Sequence, residues 1–406
     1  MKIKIDRLGL FGDGVADGPV FAPMTLPGEV VEGDVVGDKM ATPRIVEPSP
    51  DRVKPPCSHF KSCGGCSMQH LREDKLAEWK LDVVRNALTA REITAPISGI
   101  HTSPASSRRR ASFSGKRTKS GAMVGFHQRA SDVLIEVPNC KLLHPDLMAS
   151  LPILQDLVIT GASRKAEISL VVTLTEGGLD VAVSRAKDMD RGLLETLVAK
   201  AEQHDLARLT WNDEPVATRR PPVVQFGKGK VALPPGAFLQ ATEDGEMALL
   251  ASVKEAVTDA KTVIDLFAGC GTFSLPLAED AMVRAVEGEG DMLEALDKGW
   301  RKAKGLKTIV SETRDLYRRP LLPDEFKKID AVVLDPPRAG AEAQVAELAK
   351  ADVAKIAMVS CNPVTFARDA ATLIAGGYTM QWVDVVDQFR WSSHIELAAA
   401  FTRDKK

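Results

Sequence analysis

The sequence of 406 residues lacks any run of about 18 apolar residues, the length that a helix needs to cross a membrane. It also lacks the pattern of an amino-terminal signal peptide, so we expect a cytoplasmic protein without a membrane partner. Cysteine is scarce, because only six residues are present, and this excludes a disulfide-rich secreted scaffold. Six cysteines in a cytosolic chain instead favour a metal site or a catalytic thiol.

Excess positive charge is missing as well, since the formal net charge is −2. The protein as a whole therefore lacks the strongly basic character of many nucleic-acid-binding proteins. Two windows nevertheless contain no acidic residue, residues 93–131 and residues 215–242, and both contain several arginines and lysines. Such segments can bind the phosphate groups of a nucleic acid. Solvated loops without a function have the same composition, so charge alone leaves both interpretations open.

The hydrophobic pattern predicts three domains. Residues 1–50 alternate short β-prone runs with glycine turns, which predicts a small β-barrel. Residues 51–236 are predicted to form a second domain, which contains a cysteine-rich segment and an α+β fold. Strands are favoured from about residue 105 to residue 236, and helices are predicted at about 71–90 and 188–204; the first helix is also a candidate for packing on the C-terminal domain. In residues 237–406, helices alternate with β-prone runs, which predicts an α/β fold with a Rossmann-like, doubly wound parallel sheet. These runs begin near Thr262, Met282, Thr308, Asp330 and Lys355.

Three cysteines lie within ten residues, in the segment Cys57-x5-Cys63-Gly-Gly-Cys66. The two glycines allow the backbone to fold tightly around a bound group. Three thiolates need a fourth ligand, and Cys140, which follows a predicted strand, is the remaining cysteine in the β-rich half of the chain. Four thiolates suit either a tetrahedral zinc ion or an iron–sulfur cluster. Two nearby histidines could complete a zinc site instead, namely His59 and His70.

A glycine-rich turn follows the first predicted strand of the C-terminal domain, in Asp265-Leu-Phe-Ala-Gly-Cys-Gly-Thr-Phe. Such a turn lets the backbone approach a ligand, and the helix expected after it points its amide groups at that ligand. A dinucleotide-binding turn has a third glycine where this chain has Ser274. Glu287 and Asp315 follow the next two strands and could accept hydrogen bonds from a ribose and an adenine. Together these features favour an adenosyl ligand without a pyrophosphate, and S-adenosylmethionine fits best.

Cys361 follows a later predicted strand and precedes the rigid turn Asn362-Pro363, a position that favours an activated thiol. A buried structural cysteine is the commoner alternative. His394 and Glu396 share one face of an extended run, where Glu396 could act as a base. A thiolate, a methyl donor and a base suit methylation of a pyrimidine. The thiolate adds to C6, C5 takes the methyl group, and the base removes the C5 proton before the thiolate leaves.

In these segments the chain resembles the 5-methyluridine RNA methyltransferases, in particular their iron–sulfur-containing branch that acts on 23S rRNA. The resemblance covers nearly the whole chain and rests on five motifs: Phe238-Leu-Gln240, the glycine-rich turn, Asp335-Pro-Pro-Arg, Ser360-Cys-Asn-Pro and His394-Ile-Glu396. It implies that Cys361 is the nucleophile and Glu396 the base. It implies that S-adenosylmethionine is contacted by Gln240, Phe267, Thr272, Glu287, Asp315 and Asp335. It implies that a [4Fe–4S] cluster is held by Cys57, Cys63, Cys66 and Cys140.

The resemblance also implies a first domain of the RNA-binding TRAM type and a basic strand at Arg108-Arg-Arg beside the target nucleotide. Phe113 and Phe126 are candidates for stacking on bases. We therefore expect a monomeric enzyme that methylates C5 of a flipped-out uridine in 23S rRNA. The same chemistry on tRNA is an alternative, and an iron–sulfur redox enzyme and a non-catalytic RNA-binding protein are alternatives from other classes. The chain departs from the family pattern in its short first domain, at Thr272, and in lacking a proline before the base motif.

Overall fold

The computed structural model describes residues 1–403. Its N-terminal segment consists of six short strands, which are β1 (Lys2–Lys4), β2 (Arg7–Leu8), β3 (Gly14–Ala16), β4 (Val20–Ala22), β5 (Val30–Glu32) and β6 (Arg44–Glu47). They pair antiparallel in the orders β1-β5-β6 and β2-β3-β4, with a small apolar core that includes Ile5, Val31 and Met40. Closure into one barrel is not confirmed, because the backbone pairing gives two separate sheets.

Residues 73–102 follow as helix α1 (Glu73–Thr89) and strand β7 (Ile97–Thr102). The helix was predicted at about 71–90, and the structure confirms it. Two acidic residues occupy its first turn, where their negative charges interact favourably with the helix dipole and stabilise the helix. Its apolar residues recur at helical spacing and are buried against the C-terminal domain.

The middle of the chain folds into a seven-stranded sheet with three helices. Its strands are β8 (Arg110–Arg117), β9 (Ala122–His127), β10 (Leu134–Glu136), β11 (Ile168–Thr175), β12 (Gly178–Ser184), β13 (Arg208–Trp211) and β14 (Glu214–Thr218). Its helices are α2 (Pro145–Ala149), α3 (Leu151–Gly161) and α4 (Arg191–Gln203). The sheet order is β10-β9-β8-β11-β12-β13-β14, and only β12 and β13 are parallel. Helices α2 and α3 were not predicted from the sequence, because a short apolar run is compatible with a helix and with a strand.

The hairpin of β15 (Val223–Phe226) and β16 (Gly229–Ala232) leads into the C-terminal domain. The helices there are α5 (Glu243–Ala256), α6 (Ser274–Leu277), α7 (Gly290–Lys302), α8 (Glu342–Leu348) and α9 (Pro363–Ala375), with a 3-10 turn at Pro323–Phe326. The strands are β17 (Thr262–Leu266), β18 (Met282–Glu287), β19 (Ile309–Thr313), β20 (Ala331–Leu334), β21 (Lys355–Ser360), β22 (Thr379–Asp387) and β23 (Glu396–Thr402).

Together with β7, the seven strands β17 to β23 form an eight-stranded sheet in the order β19-β18-β17-β20-β21-β23-β22-β7. Strands β17 to β21 are parallel to one another, whereas β23 runs antiparallel between β21 and β22. Helices lie against both faces of the sheet. The apolar side chains on its two faces pack into two separate cores. The predicted doubly wound α/β fold is confirmed, and the five predicted strand starts agree with the structure within one residue.

Two segments assigned to the middle domain by sequence pack on the C-terminal domain instead. Strand β7 completes one edge of the C-terminal sheet by pairing in parallel with β22. The β15–β16 hairpin contributes Phe226 and Val231 to the core on one face of that sheet. Burial of these apolar side chains overrides their position in the sequence. Within residues 1–403, no helix combines the length and the apolar character that a bilayer crossing requires.

The packing of α1 predicts a stability difference between two alanine variants. Leu88 is 2% exposed and lies in the core between α1 and the C-terminal sheet, whereas Asn86 is exposed on the same helix. We expect Leu88→Ala to lower the free energy of unfolding by about 2–5 kcal/mol, because it leaves a cavity. Asn86→Ala should change it by less than about 0.5 kcal/mol. Chemical denaturation of both variants measures the difference, and equal values contradict this packing.

Candidate active site

Three neighbouring strands bring the predicted reactive groups together. Asp335 follows β20, Cys361 follows β21, and Glu396 is the first residue of β23. In the antiparallel ladder of β21 and β23, Ser360 pairs with Leu397. The next residue of each strand continues this register, so Cys361 and Glu396 lie opposite each other. The thiol and the carboxyl group therefore meet at the carboxyl edge of the parallel sheet, where ligands bind in folds of this kind.

A cavity of about 1590 Å³ opens at this edge and extends to the N-terminal half of the chain. All twelve predicted site residues line it, although they come from segments up to 340 residues apart in sequence. They are Cys57, Cys63, Cys66, Cys140, Gln240, Phe267, Thr272, Glu287, Asp315, Asp335, Cys361 and Glu396. Their convergence in one cavity is consistent with a single functional site, and it leaves the individual roles as predictions.

The surroundings of Cys361 oppose ionisation of its thiol, and the activation expected from the sequence stays a prediction. Burial, together with the negative charges of Glu396 and Asp335, raises the pKa of Cys361 to about 12. The nearby Arg338 lowers this pKa but does not offset the other effects. Helix α9 begins two residues after Cys361, at Pro363. Its favourable dipole is outweighed, because the thiolate would be a buried negative charge beside two carboxyl groups.

The two carboxyl groups beside Cys361 are also shifted towards their neutral forms. Glu396 is 5% exposed, and burial followed by the charge of Asp335 raises its pKa well above the usual value. Burial raises the pKa of Asp335 to about 7. A carboxyl group with a raised pKa can donate a hydrogen bond while protonated, and it accepts a proton readily once ionised.

Two buried glutamines fix the carboxyl groups, and sequence analysis missed one of them. Gln388 is 1% exposed and donates from Nε2 to Oε1 of Gln240 over 2.6 Å, while its own Oε1 accepts from the amide of Ala241 over 2.8 Å. Its side chain also lowers the pKa of Glu396 and so lies close to that carboxyl group. Gln240 points its amide nitrogen at Oδ2 of Asp335 over 3.5 Å. No local signal in the sequence marks Gln388, because its partner Gln240 lies 148 positions earlier in the chain.

The glycine-rich turn after β17 has the backbone that its sequence predicts. Gly271 has a φ of +92°, and a Cβ atom there would lie 1.9 Å from Cδ1 of Leu296. No other residue fits this position, whereas Gly269, with a φ of +54°, has open space around it. The expected helix after the turn is only the four residues of α6, so its dipole contributes little. Asp265 stabilises the turn, because its carboxyl group accepts a hydrogen bond from Oγ of Ser274 over 2.5 Å.

Glu287 and Asp315 lie at the ends of β18 and just beyond β19, as predicted, and both line the cavity. Glu287 accepts backbone hydrogen bonds from Gly269 over 3.0 Å and from Gly288 over 2.6 Å. Asp315 accepts from the amide of Tyr317 over 3.0 Å and so closes the turn that follows β19. Each carboxylate thus shapes its own loop, and its remaining acceptor capacity faces the cavity.

The four cysteines of the N-terminal half converge on one side of the cavity, and none forms a disulfide. Backbone amides donate to two of the sulfur atoms, from Gly65 to Cys63 and from Leu142 to Cys140, both over 3.4 Å. Burial raises the pKa of Cys63, Cys66 and Cys140, and the pKa of Cys66 reaches about 12. Negative charges on the other thiols of this group raise each of these pKa values further. Thiols that repel one another when ionised suit a cationic group between them.

No group of three His, Cys, Asp or Glu side chains within residues 1–403 is placed to hold a single metal ion. The sequence prediction of a metal site is therefore not confirmed. Four thiolates on one zinc ion would crowd around bonds of about 2.3 Å, whereas a cluster of several metal atoms separates its ligands more widely. His59 lines the cavity, but His70 does not. The ring of His70 is 1% exposed and packs on Phe60, which argues against a ligand role.

Basic and aromatic side chains surround the rest of the cavity. Arg108 and Arg110 line it, and neither forms an ion pair with any described residue. Phe113 is 1% exposed in the core of the middle sheet, so it is not available for stacking on a base, contrary to the sequence prediction. Phe126 lies against its ring and does line the cavity. Phe11, in the turn between β2 and β3, was not predicted from the sequence; it is 70% exposed and lines the same cavity.

Comparison with known proteins gives three informative similarities. The family described as tRNA (uracil-5-)-methyltransferase matches residues 303–404. An uncharacterized RNA methyltransferase of Brucella suis is 41% identical, with 100% of this chain and 98% of the relative covered. The 23S rRNA (uracil(1939)-C(5))-methyltransferase RlmD of Tolumonas auensis is 32% identical, with 99% and 96% covered.

A solved structure shares the whole fold. The tRNA (uracil-54, C5)-methyltransferase of Pyrococcus abyssi, in complex with S-adenosyl-L-homocysteine, superposes with a TM-score of 0.78 at 22% identity. The similarity covers 99% of each chain. It therefore extends through the N-terminal strands and the middle sheet as well as the C-terminal domain.

The environment of Cys361 predicts a measurable change in its acidity. Because the charge of Glu396 adds to burial in raising the pKa of Cys361, Glu396→Gln should lower this pKa and speed alkylation of Cys361 at pH 9, by about tenfold for each unit that the pKa falls. The rate is measured by mass spectrometry of the peptide that contains Cys361, as a function of pH. Glu294→Gln, on an exposed residue of α7, serves as the control. An unchanged alkylation profile in Glu396→Gln means that the two groups are not coupled.

Proposed function

This chain belongs to the RNA uracil-5-methyltransferase family, and we propose that it transfers a methyl group from S-adenosylmethionine to C5 of a uridine in 23S rRNA. The observation that supports this most is the meeting of Cys361, Glu396 and Asp335 at the mouth of the glycine-rich turn, in one cavity. A thiol, an opposing carboxyl group and a cofactor turn are the parts that methylation of a pyrimidine carbon needs.

The residues of the site have distinct tasks in this reaction. The sulfur of Cys361 forms a bond to C6 of the uracil, which makes C5 electron-rich. Glu396 lies opposite Cys361 in the strand register and removes the C5 proton as a base, after which the thiolate leaves. S-adenosylmethionine, when bound, would supply an electrophilic methyl group on a positively charged sulfur, and S-adenosyl-L-homocysteine would be the leaving group when C5 takes the methyl group. Asp335 orients the groups above the sheet, and Gln240 and Gln388 hold the two carboxyl groups at fixed positions.

The cofactor pocket is proposed at the carboxyl ends of β17, β18 and β19. Gly269 leaves open space beside the turn, so the backbone there can approach a ligand. Phe267 adopts a φ of +62° and contacts the ring of Tyr317 at 5.6 Å, which places an apolar wall on one side. The proposed contacts to S-adenosylmethionine are Gln240, Phe267, Thr272, Glu287, Asp315 and Asp335, all of which line the cavity.

The proposed RNA substrate follows from the relatives. The relative named for 23S rRNA is 32% identical over nearly the whole chain, whereas the tRNA enzyme of known structure is 22% identical and supports the fold alone. Unpaired guanidinium groups in the cavity, those of Arg108 and Arg110, are suited to bind RNA phosphates. Phe11, in the turn between β2 and β3, offers an exposed ring for stacking on an unpaired base.

We further propose that the four clustered thiols hold a [4Fe–4S] cluster rather than zinc. The spacing of the cysteines, the amide donors to their sulfur atoms and the mutual repulsion of their charges all fit this group. The residues that would hold it are Cys57, Cys63, Cys66 and Cys140. Bound there, the cluster cross-links the loop of residues 57–66 to the end of the middle sheet.

Two variants test the proposed reaction. Cys361→Ala should abolish transfer of a labelled methyl group to ribosomal RNA that is purified from cells lacking this protein, because no bond to C6 can form. Glu396→Gln should lower turnover by about 10²–10⁴-fold and accumulate a covalent protein–RNA adduct, because the C5 proton stays in place. Gel electrophoresis detects this adduct. Methylation that persists in Cys361→Ala contradicts a cysteine nucleophile, and binding of S-adenosyl-L-homocysteine serves as the control for correct folding.

The cluster proposal is tested by composition and by redox state. Protein purified without oxygen should contain about four iron and four sulfide per chain, and Cys140→Ser should lose them. Reduction or oxidation of the cluster should leave the rate of methyl transfer unchanged if the group is structural. Zinc without iron or sulfide contradicts the cluster, and a rate that follows the redox state favours a redox enzyme.

A further inference from the structure

The loop of residues 388–395 joins β22 to β23 and leads directly into Glu396. It begins with Gln388, whose side chain hydrogen-bonds to Gln240 and lies close enough to Glu396 to lower the pKa of that carboxyl group. The position of this loop therefore decides where the proposed base and its supporting amide lie relative to Cys361. Most of its contacts come from the N-terminal half of the chain, about 300 residues away in sequence.

Lys80 of α1 makes the most extensive of these contacts. Its side chain is 0% exposed, although lysine is rarely buried completely. The ammonium group donates to Oδ1 of Asp387 over 2.5 Å, to the carbonyl of Phe389 over 3.4 Å and to the carbonyl of His394 over 3.1 Å. An ammonium group has three N–H donors, and these three acceptors use all of them. Asp387 and Phe389 flank Gln388, and His394 lies two residues before Glu396. The Lys80 side chain therefore fixes both ends of the loop.

Other contacts from the same half of the chain hold the middle of the loop. The carbonyl of Trp391 accepts from the amides of Ser67 and Met68 over 2.8 and 2.9 Å, directly after the last clustered cysteine of that segment. Trp391 has a φ of +60° and is 5% exposed, so this strained residue is fixed by its surroundings. Arg390 pairs with Glu73 of α1 over 2.5 Å. The loop thus has a single, well-determined position.

We propose that Lys80 is a positioning residue for the methylation reaction, which holds the loop of residues 388–395 so that Gln388 and Glu396 face Cys361. This inference rests on the proposed function. Lys80 touches neither the cavity nor a reacting atom and acts through the loop backbone. Removal of its two carbonyl contacts allows the loop to shift, and proton removal by Glu396 slows, because displacement of a catalytic group by about 1 Å can cost about 100-fold in rate.

A purely structural role for Lys80 is separable from this one by chemistry. Removal of one partner of a buried ion pair leaves an uncompensated charge and lowers stability, whereas removal of both charges is often neutral. Lys80→Met leaves Asp387 as an unpaired buried carboxylate. The double variant Lys80→Met/Asp387→Asn removes both charges but restores neither carbonyl contact. Stability should therefore recover in the double variant, while the position of the loop should not.

The experiment compares the wild type, Lys80→Met, the double variant and Lys75→Met, a control at a half-buried lysine on the same helix that pairs only with Glu78. Turnover is measured on RNA with hydrogen or deuterium at C5 of uridine and is normalised to the fraction of protein that binds S-adenosyl-L-homocysteine. The normalisation removes any effect of incomplete folding. We expect kcat of both Lys80 variants to fall by about 10- to 100-fold, with little change in KM, and the isotope effect on kcat to rise above that of the wild type.

The unfolding temperature of Lys80→Met should fall by on the order of 5–10 °C and recover in the double variant. Normalised kcat of the double variant equal to that of the wild type overturns the proposal, and so does a lower kcat with an unchanged isotope effect, because another step is then affected. A loss in Lys75→Met equal to that in Lys80→Met also overturns it. Absence of methylation by the wild type is a different result and contradicts the proposed function itself.

Discussion

The antiparallel insertion of β23 between β21 and β22 is the constraint on which the site depends. A sheet of parallel strands alone would bring together only residues that follow strand ends. The reversed strand places its first residue, Glu396, opposite Cys361, which follows the neighbouring strand. Because the ladder repeats every two residues, a slip of one residue would turn Glu396 to the other face. The strand is buried along nearly its whole length, and this burial fixes the register.

Burial of these groups has an electrostatic consequence that shapes the chemistry. A thiol and two carboxyl groups share a poorly solvated space, so the charged form of each disfavours the charged forms of the others. The resting site holds fewer charges than its composition suggests. A bound substrate that brings positive charge and hydrogen-bond donors changes this balance, since opposite charge favours ionisation. The proposed nucleophile, Cys361, and the proposed base, Glu396, are therefore best suited to ionise when substrates are in place.

The two halves of the chain are mutually dependent around this site. The N-terminal half supplies the clustered cysteines, the basic strand and the helix that carries Lys80, and all of them contact the loop or the cavity of the C-terminal domain. The guanidinium group of Arg108 lies 5.6 Å from the ring centre of Phe389, between the cysteines and the loop of residues 388–395. Folding of the cysteine segment and the arrangement of the base are thus linked by direct contacts.

The sequence alone determined the elements whose signals are local. Strand starts from Thr262 to Lys355, the glycine turn at Gly269 and Gly271, and the polar residues after each strand all follow from alternation and turn chemistry, and the structure places them as expected. Only the tertiary structure revealed the contacts between distant segments. Gln388, Lys80 and β7 carry no local signal, because their roles come from residues that are about 150 to 310 positions away. The raised pKa of Cys361 and the burial of Phe113 likewise depend on neighbours from other strands, which composition and spacing do not contain.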